Sequence, residues 1–273
     1  MRIFAVKDDT FPPDQILAYL IYYENAKAFY IELPDDADPW DTPPILSSFV
    51  RRGEHSVNSY WSRLWVQQRI IPPDRQNLGT ILKDNGLKEY DEFEFLLLAM
   101  GRCAQDDCYL EEIPSDTLPP LLLSRWKTKV EDVIPLDAPR LLVFFRSGET
   151  GIVDVSAIAE TVPPCRPYCM TQDRFDRVEV QPDGYGIQWS EQAALSDALL
   201  HSHMQPVPLS LRDFRRFVQQ RVISTAEACS LLSCSRQNID DLIRRKKLTP
   251  IRSDARNKLF LKTEVLQRRK NND

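Results

Sequence analysis

Ser224-Thr-Ala-Glu-Ala-Cys-Ser-Leu-Leu-Ser-Cys-Ser-Arg-Gln-Asn-Ile-Asp-Asp-Leu-Ile-Arg-Arg-Lys-Lys247 is the densest local pattern in the chain. Ser224 and Glu227 have the spacing of a capping box, so a helix starts after Ser224. Ala228, Leu231 and Leu232 then share one face. Ser233-Cys234 breaks the period as a tight turn. Ser235 caps a second helix, Arg236–Lys247, with Ile239, Leu242 and Ile243 facing inward. Two short helices joined in this way form a helix-turn-helix. Downstream, Leu248-Thr-Pro-Ile251, a turn over Arg252-Ser-Asp-Ala-Arg-Asn257 and Lys258-Leu-Phe-Leu261 read as a wing hairpin, and a last helix begins near Thr263.

Residues 222–269 therefore resemble the winged helix-turn-helix of excisionases and mercury-resistance-type (MerR) regulators. That family shows a threonine-x-E-A-A-x-x-L-x-C/V-S opening, then an S-R-x-x-I-x-x-L-I helix, a basic stretch, a hydrophobic wing strand and a final helix. Here the opening is Thr225-Ala-Glu-Ala-Cys-Ser-Leu-Leu-Ser-Cys-Ser235 and the second helix begins Ser235-Arg-Gln-Asn-Ile-Asp-Asp-Leu-Ile243. The match covers under a fifth of the chain. It implies a module that binds double-stranded DNA.

The chemistry of the residues agrees with that implication. A recognition helix reads base edges from its N-terminal turns. Arg236, Gln237 and Asn238 stand there, and each side chain can make paired hydrogen bonds to a base edge. Ser235 and the helix N-terminus can hold a phosphate. Arg244, Arg245, Lys246 and Lys247 extend the positive surface, and Arg252, Arg256 and Lys258 charge the wing. A helix C-terminus favours cations in any protein, which is the competing role for residues 244–247. Asp240 and Asp241 oppose phosphate unless they accept from cytosine amino groups or pair with Arg244 and Arg245 at i,i+4.

Upstream, Ser210 opens an amphipathic helix, Leu211–Val222, with Asp213 at the capping-box position. Its apolar stripe is Leu211, Phe214, Phe217 and Val218. His201-Ser-His-Met-Gln-Pro-Val-Pro208 reads as a linker. The charge changes sign across this junction. Residues 212–273 carry 16 Lys+Arg against 7 Asp+Glu, a net of +9, whereas residues 1–211 carry 19 against 33, a net of -14. A basic tail on an acidic body fits a polyanion partner for the tail.

Residues 126–200 read as a small β-rich unit. One hairpin joins Leu141-Leu-Val-Phe-Phe145 to Gly151-Ile-Val-Asp-Val155. A second joins Phe175-Asp-Arg-Val-Glu-Val180 to Gly186-Ile-Gln-Trp189 through Pro182-Asp-Gly184. This part resembles a small bacterial domain family of unknown function in three elements. They are the opening Val130, Val133, Pro135; the hairpin Leu141, Val143, Phe145, Gly148, Glu149 with Val153-Asp-Val155; and the closing Phe175, Val178, Val180, Gly186, Ile187, Trp189. The resemblance brings no activity. Such domains are often joined to helix-turn-helix modules.

The N-terminal stretch, closed by a linker at Pro114–Pro120, is mixed. Ile21-Tyr-Tyr and Ala28-Phe-Tyr-Ile-Glu-Leu33 read as strands around Glu24–Lys27. Helices follow at Val57–Arg69, Asp74–Asn85 and Asp91–Met100, then a strand at Cys108–Ile113. Trp65-Val-Gln-Gln-Arg-Ile-Ile71 echoes Phe217-Val-Gln-Gln-Arg-Val-Ile223, and Arg75-Gln-Asn-Leu78 echoes Arg236-Gln-Asn-Ile239. A degenerate second helix-turn-helix over 57–85 would explain the echo; chance likeness of helix starts would too.

Composition excludes several enzyme classes. The chain has 273 residues, 42% hydrophobic and 27% charged, which is ordinary for a globular protein. It has only 8 glycines and no phosphate-cradling glycine loop. With three histidines, His55, His201 and His203, no H-E-x-x-H can be written. Cys103-x4-Cys108 and Cys165-x3-Cys169 could in principle make a four-thiolate zinc site, which is not the expectation here, and Cys229 and Cys234 read as core packing of the helix-turn-helix. The start lacks the apolar core of a signal peptide. The expectation is a cytoplasmic, non-enzymatic α+β protein without cofactor, metal or membrane segment. It has three parts: a mixed domain at 1–116, a β-rich domain at 117–204 and a winged helix-turn-helix at 205–273. The expected role is a bacterial or mobile-element transcriptional regulator that binds duplex DNA, its acidic body forming a homodimer, sensing a ligand or docking a protein partner. The alternatives are an antitoxin-like or phage-related interaction adaptor, and an excisionase-like protein that bends DNA.

Overall fold

A computed structural model describes residues 1–253 and 258–270, excepting the side chains of Gln267, Arg269 and Lys270. The chain divides into two units. One comprises Met1–Ser147 with Gly151–Pro206, the other Gly148–Thr150 with Val207–Asp273. Helices and strands alternate through several small sheets, an α+β organisation.

The first unit starts with strands β1 (Arg2–Asp8), β2 (Ala18–Tyr23) and β3 (Ala28–Glu32). Helix α1 (Pro44–Arg51), strand β4 (Ser56–Val57), helices α2 (Ser59–Gln67), α3 (Leu78–Asp84) and α4 (Glu92–Leu98), and strand β5 (Cys108–Glu112) follow. The antiparallel sheet has the order β4-β3-β2-β1-β5. Successive strand side chains point to opposite faces, and both faces are covered. Phe4, Val6, Leu20, Tyr22, Phe29 and Ile31 pack with Leu46, Trp65 and Leu96 of the helices. Ile3, Tyr19 and Ile21 pack on the other side against Leu118 and Leu122. The segment expected to be a linker at Pro114–Pro120 thus contributes a buried anchor, Leu118, and leads into α5 (Pro120–Lys127).

The expected helix at Val57–Arg69 runs only over Ser59–Gln67, because Asn58 caps it by accepting from the Trp61 amide. Arg75, Gln76 and Asn77 precede α3 rather than opening a helix. In the C-terminal copy the same three residues open one. Residues 68–77 separate α2 from α3, against three residues between the C-terminal pair. The echo therefore falls on different local structures, and α2 packs on β3.

The first unit continues with β6 (Val130–Pro135), β7 (Arg140–Phe145) and β8 (Thr150–Asp154), then α6 (Val155–Thr161), α7 (Arg166–Cys169) and α8 (Gln172–Phe175). Strands β9 (Glu179–Val180), β10 (Gly186–Gln188) and β11 (Ala194–Ser196), helix α9 (Asp197–His203) and strand β12 (Met204–Pro206) complete it. Two sheets result, β12-β8-β7-β6 and β11-β10-β9. The first hairpin is present, but Val155 opens α6 because the Asp154 carboxylate accepts from the Ser156 amide. In the second, Phe175 ends a helix and only Glu179 and Val180 pair with β10. The Trp189 indole donates to the Phe175 carbonyl, which holds that chain segment against the core. Gly184 has φ +77, and a Cβ there would lie 2.1 Å from the Val130 carbonyl oxygen, so the turn needs glycine. The expected linker at His201–Pro208 is structured through Pro206: His201 and His203 belong to α9, and β12 pairs with β8.

Candidate nucleic-acid interface

The second unit is built on helix α10 (Leu211–Arg221), strand β13 (Val222–Ser224), helices α11 (Thr225–Leu232) and α12 (Arg236–Arg244), strands β14 (Arg252–Ser253) and β15 (Lys258–Leu261), and helix α13 (Lys262–Lys270). The sheet order is β13-β15-β14, so the wing pair gains a third strand that sequence periodicity did not reveal. A three-residue strand is too short to show alternation. Ile223, Ala228, Ile239, Leu248, Phe260 and Val265 form the core.

Both capping boxes form. Ser210 accepts from the Asp213 amide and Asp213 accepts from the Ser210 amide. Ser224 and Glu227 repeat the exchange. Hydrogen bonds from Ser210 hold the Asp213 carboxyl below its ordinary range, and hydrogen bonds from Ser224 do the same for Glu227. The apolar stripe of α10 is only partly covered: Phe217 is 50% and Val218 39% exposed, and no residue of the helix is buried. Helix α11 ends at Ser233, which adopts a left-handed φ of 48°, while the Cys234 amide donates back to the Cys229 carbonyl at 3.0 Å. This closure brings the side chain after the turn onto the preceding helix. Burial and the neighbouring Cys229 thiol push the Cys234 thiol up.

Ser235 then caps α12 by accepting from the Asn238 amide at 3.3 Å. Ile239 is fully buried and sets the rotation of the helix. Ser235, Arg236, Gln237 and Asn238 are consequently exposed together over its first turn. The basic run behaves differently from expectation. Helix α12 stops at Arg244, not Lys247, because Lys246 turns left-handed at φ 55° and the Lys247 amide closes back on the Leu242 carbonyl at 2.8 Å. That turn delivers Leu248 to the core. Arg244, Arg245 and Lys246 are exposed but do not form one helical stripe.

The acidic residues of α12 find partners. Asp241 pairs with Arg244 at i,i+3, and Asp240 pairs with Lys258 of β15. The expected i,i+4 pairing is thus replaced by one nearer contact and one across 18 residues. No local spacing announces the second. Arg252 is exposed on β14, opposite Leu259. Arg256, and most of the expected turn at 252–257, lie outside the described residues.

The cysteine pairs do not assemble: Cys103 and Cys108 flank the start of β5, whereas Cys165 and Cys169 border α7, all as free thiols. Among the described residues, no group of three or more His, Cys, Asp or Glu could hold a metal ion, and no helix is long and apolar enough to cross a membrane. Compared with family models, curated proteins and solved structures, the chain matches none.

Proposed function

We propose that residues 207–273 bind double-stranded DNA in a sequence-dependent way, and that the protein is a non-enzymatic transcriptional regulator. The observation that carries this reading is the joint exposure of Arg236, Gln237 and Asn238 on the first turn of a helix whose opposite face is locked by Ile239. These side chains have the donor and acceptor sets that read guanine and adenine edges in the major groove. Ser235 and the helix N-terminus serve a phosphate, and Arg245, Lys246, Arg252 and Lys258 supply positioning charge. The net +9 of residues 212–273 supports the electrostatic part.

The experiment is selection from random duplex DNA with the full chain and with Arg236→Ala, at two salt concentrations. A two-fold-symmetric site enriched by the parent and lost in Arg236→Ala is expected, with half-sites about one helical turn apart. Binding without enrichment, disappearing as salt rises, would reduce the interaction to counterion release and overturn the reading.

One observation favours a second reading, a protein-interaction adaptor with secondary DNA contact. The exposed Phe217 and Val218 on α10 form an apolar strip that DNA phosphates do not need. Charging this strip with Phe217→Glu would abolish partner or self association under the adaptor reading. It would leave base selectivity intact under the regulator reading.

A further inference from the structure

Helix α10 carries four arginines and one acid, Asp213. Arg212, Arg215, Arg216 and Gln219 stand at i, i+3, i+4 and i+7, so they share one face. Phe214, Phe217 and Val218 lie on the other side, with Arg221 among them. All four residues of the polar face are exposed. Asp213 is committed to the cap, where its carboxylate accepts from the amide and the hydroxyl of Ser210. Among the described residues of the second unit, ion pairs occupy Arg244 and Lys258, and none occupies Arg212, Arg215 or Arg216. The first unit uses its cations differently. The buried Lys129 ammonium lies 3.3 Å from Asp197 Oδ2, 3.7 Å from Glu32 Oε1 and 3.9 Å from the centre of the Tyr185 ring. Exposed Arg52, Arg63 and Arg102 each hold a carboxylate.

Folding gives no reason for the face on α10. Arg212 has Arg215 and Arg216 one turn along, and like charges at i,i+3 and i,i+4 destabilise a helix. Arg212 is also the first helical residue, where the positive end of the helix dipole disfavours a cation. No residue of the helix is buried, so packing does not fix these positions either. A polyanion turns the same three charges into a gain, because each guanidinium can pair with a phosphate through two parallel hydrogen bonds.

Duplex DNA is the polyanion within reach. Helix α10 runs straight into β13, where Val222 pairs with Leu261 and Ser224 with Leu259 of β15. Lys258, next along β15, is paired with Asp240 of α12. Counted along this path, the backbone of Arg212 is at most about 30 Å from that of Lys258. One helical turn of duplex is about 34 Å, so one DNA site can span both. An anionic membrane also fits a basic amphipathic helix, but such a helix sinks a broad apolar face among the lipids. Here Leu211 and Phe214 are already half-buried in the protein, which leaves Phe217 and Val218. We infer that the face of Arg212, Arg215 and Arg216 is a second duplex-contacting surface, which holds backbone phosphates outside the base pairs read by α12. The inference rests on the proposed DNA binding of residues 207–273 and adds an element to it.

The test is fluorescence anisotropy of the full chain on a random-sequence duplex across a salt series. The parent is compared with the triple variant Arg212→Gln, Arg215→Gln, Arg216→Gln. Each lost phosphate contact flattens the slope of log affinity against log salt by about 0.9, so the triple variant should lose about 2–3. Its helical ellipticity and thermal midpoint should stay, since all three positions are exposed and glutamine is a good helix former. Selection from random duplex with the triple variant should enrich the same site as the parent, whereas Arg236→Ala should lose the site and change the slope by about one at most. A parent that binds duplex while the triple variant keeps its slope would overturn this inference alone. A parent that binds no duplex would overturn it together with the proposed function. Binding of the parent to phosphatidylserine vesicles, lost in the triple variant while the duplex slope stays, would assign the face to lipid and overturn the inference as well.

Discussion

Lys258 Nζ on β15 sits 2.5 Å from Asp240 Oδ1 on α12, so a strand of the wing is tied to the flank of the exposed helix by one ion pair. The pair masks a carboxylate that would otherwise repel phosphate, and it also occupies a cation that sequence reading assigned to the backbone of DNA. The same holds for Asp241 and Arg244. Two of the expected phosphate contacts are thus engaged by the acids of α12, and under the proposed function a DNA phosphate would have to compete for them.

Asp240→Asn should release Lys258. Duplex affinity on random sequence is expected to rise, with the slope of log affinity against log salt steeper by about one. Folding stability should move by less than about 1 kcal/mol, because the pair is largely solvent-exposed. Fluorescence anisotropy across a salt series checks the first, and urea unfolding the second. An unchanged salt slope would mean that Lys258 never reaches a phosphate.

Ser233 holds a left-handed conformation at the end of α11 without being glycine. A residue with a Cβ pays about 1–2 kcal/mol for that conformation. Ser233→Gly is expected to stabilise the second unit by up to ~1 kcal/mol, read as a shift in its thermal midpoint. Ser233→Val should destabilise it, since branching at Cβ worsens the clash.

The helix-turn-helix pair was legible because its signals are local: two caps, a two-residue interruption and an apolar residue at each expected inward position. Ile239 and Ala228 are buried where the period put them. What failed was long-range or conformational. The early end of α12 depends on Lys246 turning left-handed, which nothing about a lysine indicates. The Asp240–Lys258 pair depends on how the wing strand packs against the helix. In the first unit, β1 escaped notice although Phe4 and Val6 alternate with Ile3 and Ala5. Both faces of that strand are covered, so the residues read as an unpatterned apolar run. Trp61 and Trp65 stand four residues apart on α2, a spacing that suits core, yet only Trp65 is buried.

Lys129→Met should destabilise the first unit by less than the about 3–5 kcal/mol of a fully uncompensated buried charge, because Glu32 loses the ammonium at 3.7 Å but keeps Arg125 at 3.3 Å. Adding Glu32→Gln should recover part of that loss, leaving the double variant more stable than the sum of the singles predicts. Chemical denaturation of the four chains in the cycle measures the coupling. Additive losses would show that Lys129 acts through Asp197 or Tyr185 rather than Glu32.

The capping boxes make the second unit acid-sensitive. Asp213 is held down first by the Ser210 side-chain hydrogen bond, and Glu227 first by the Ser224 backbone hydrogen bond. A carboxyl with a lowered folded-state value binds its proton less readily when folded. Its contribution is complete above the ordinary values, 3.8 for Asp and 4.5 for Glu, and is lost as pH falls through the lowered folded values. Helical ellipticity should therefore hold steady from neutrality to about pH 5 and decline below about pH 4. Glu227→Gln keeps a side chain able to accept from the Ser224 amide but cannot titrate. That variant should have a smaller acid-dependent loss at an unchanged neutral signal. An identical acid profile in parent and Glu227→Gln would place the acid sensitivity elsewhere in the chain.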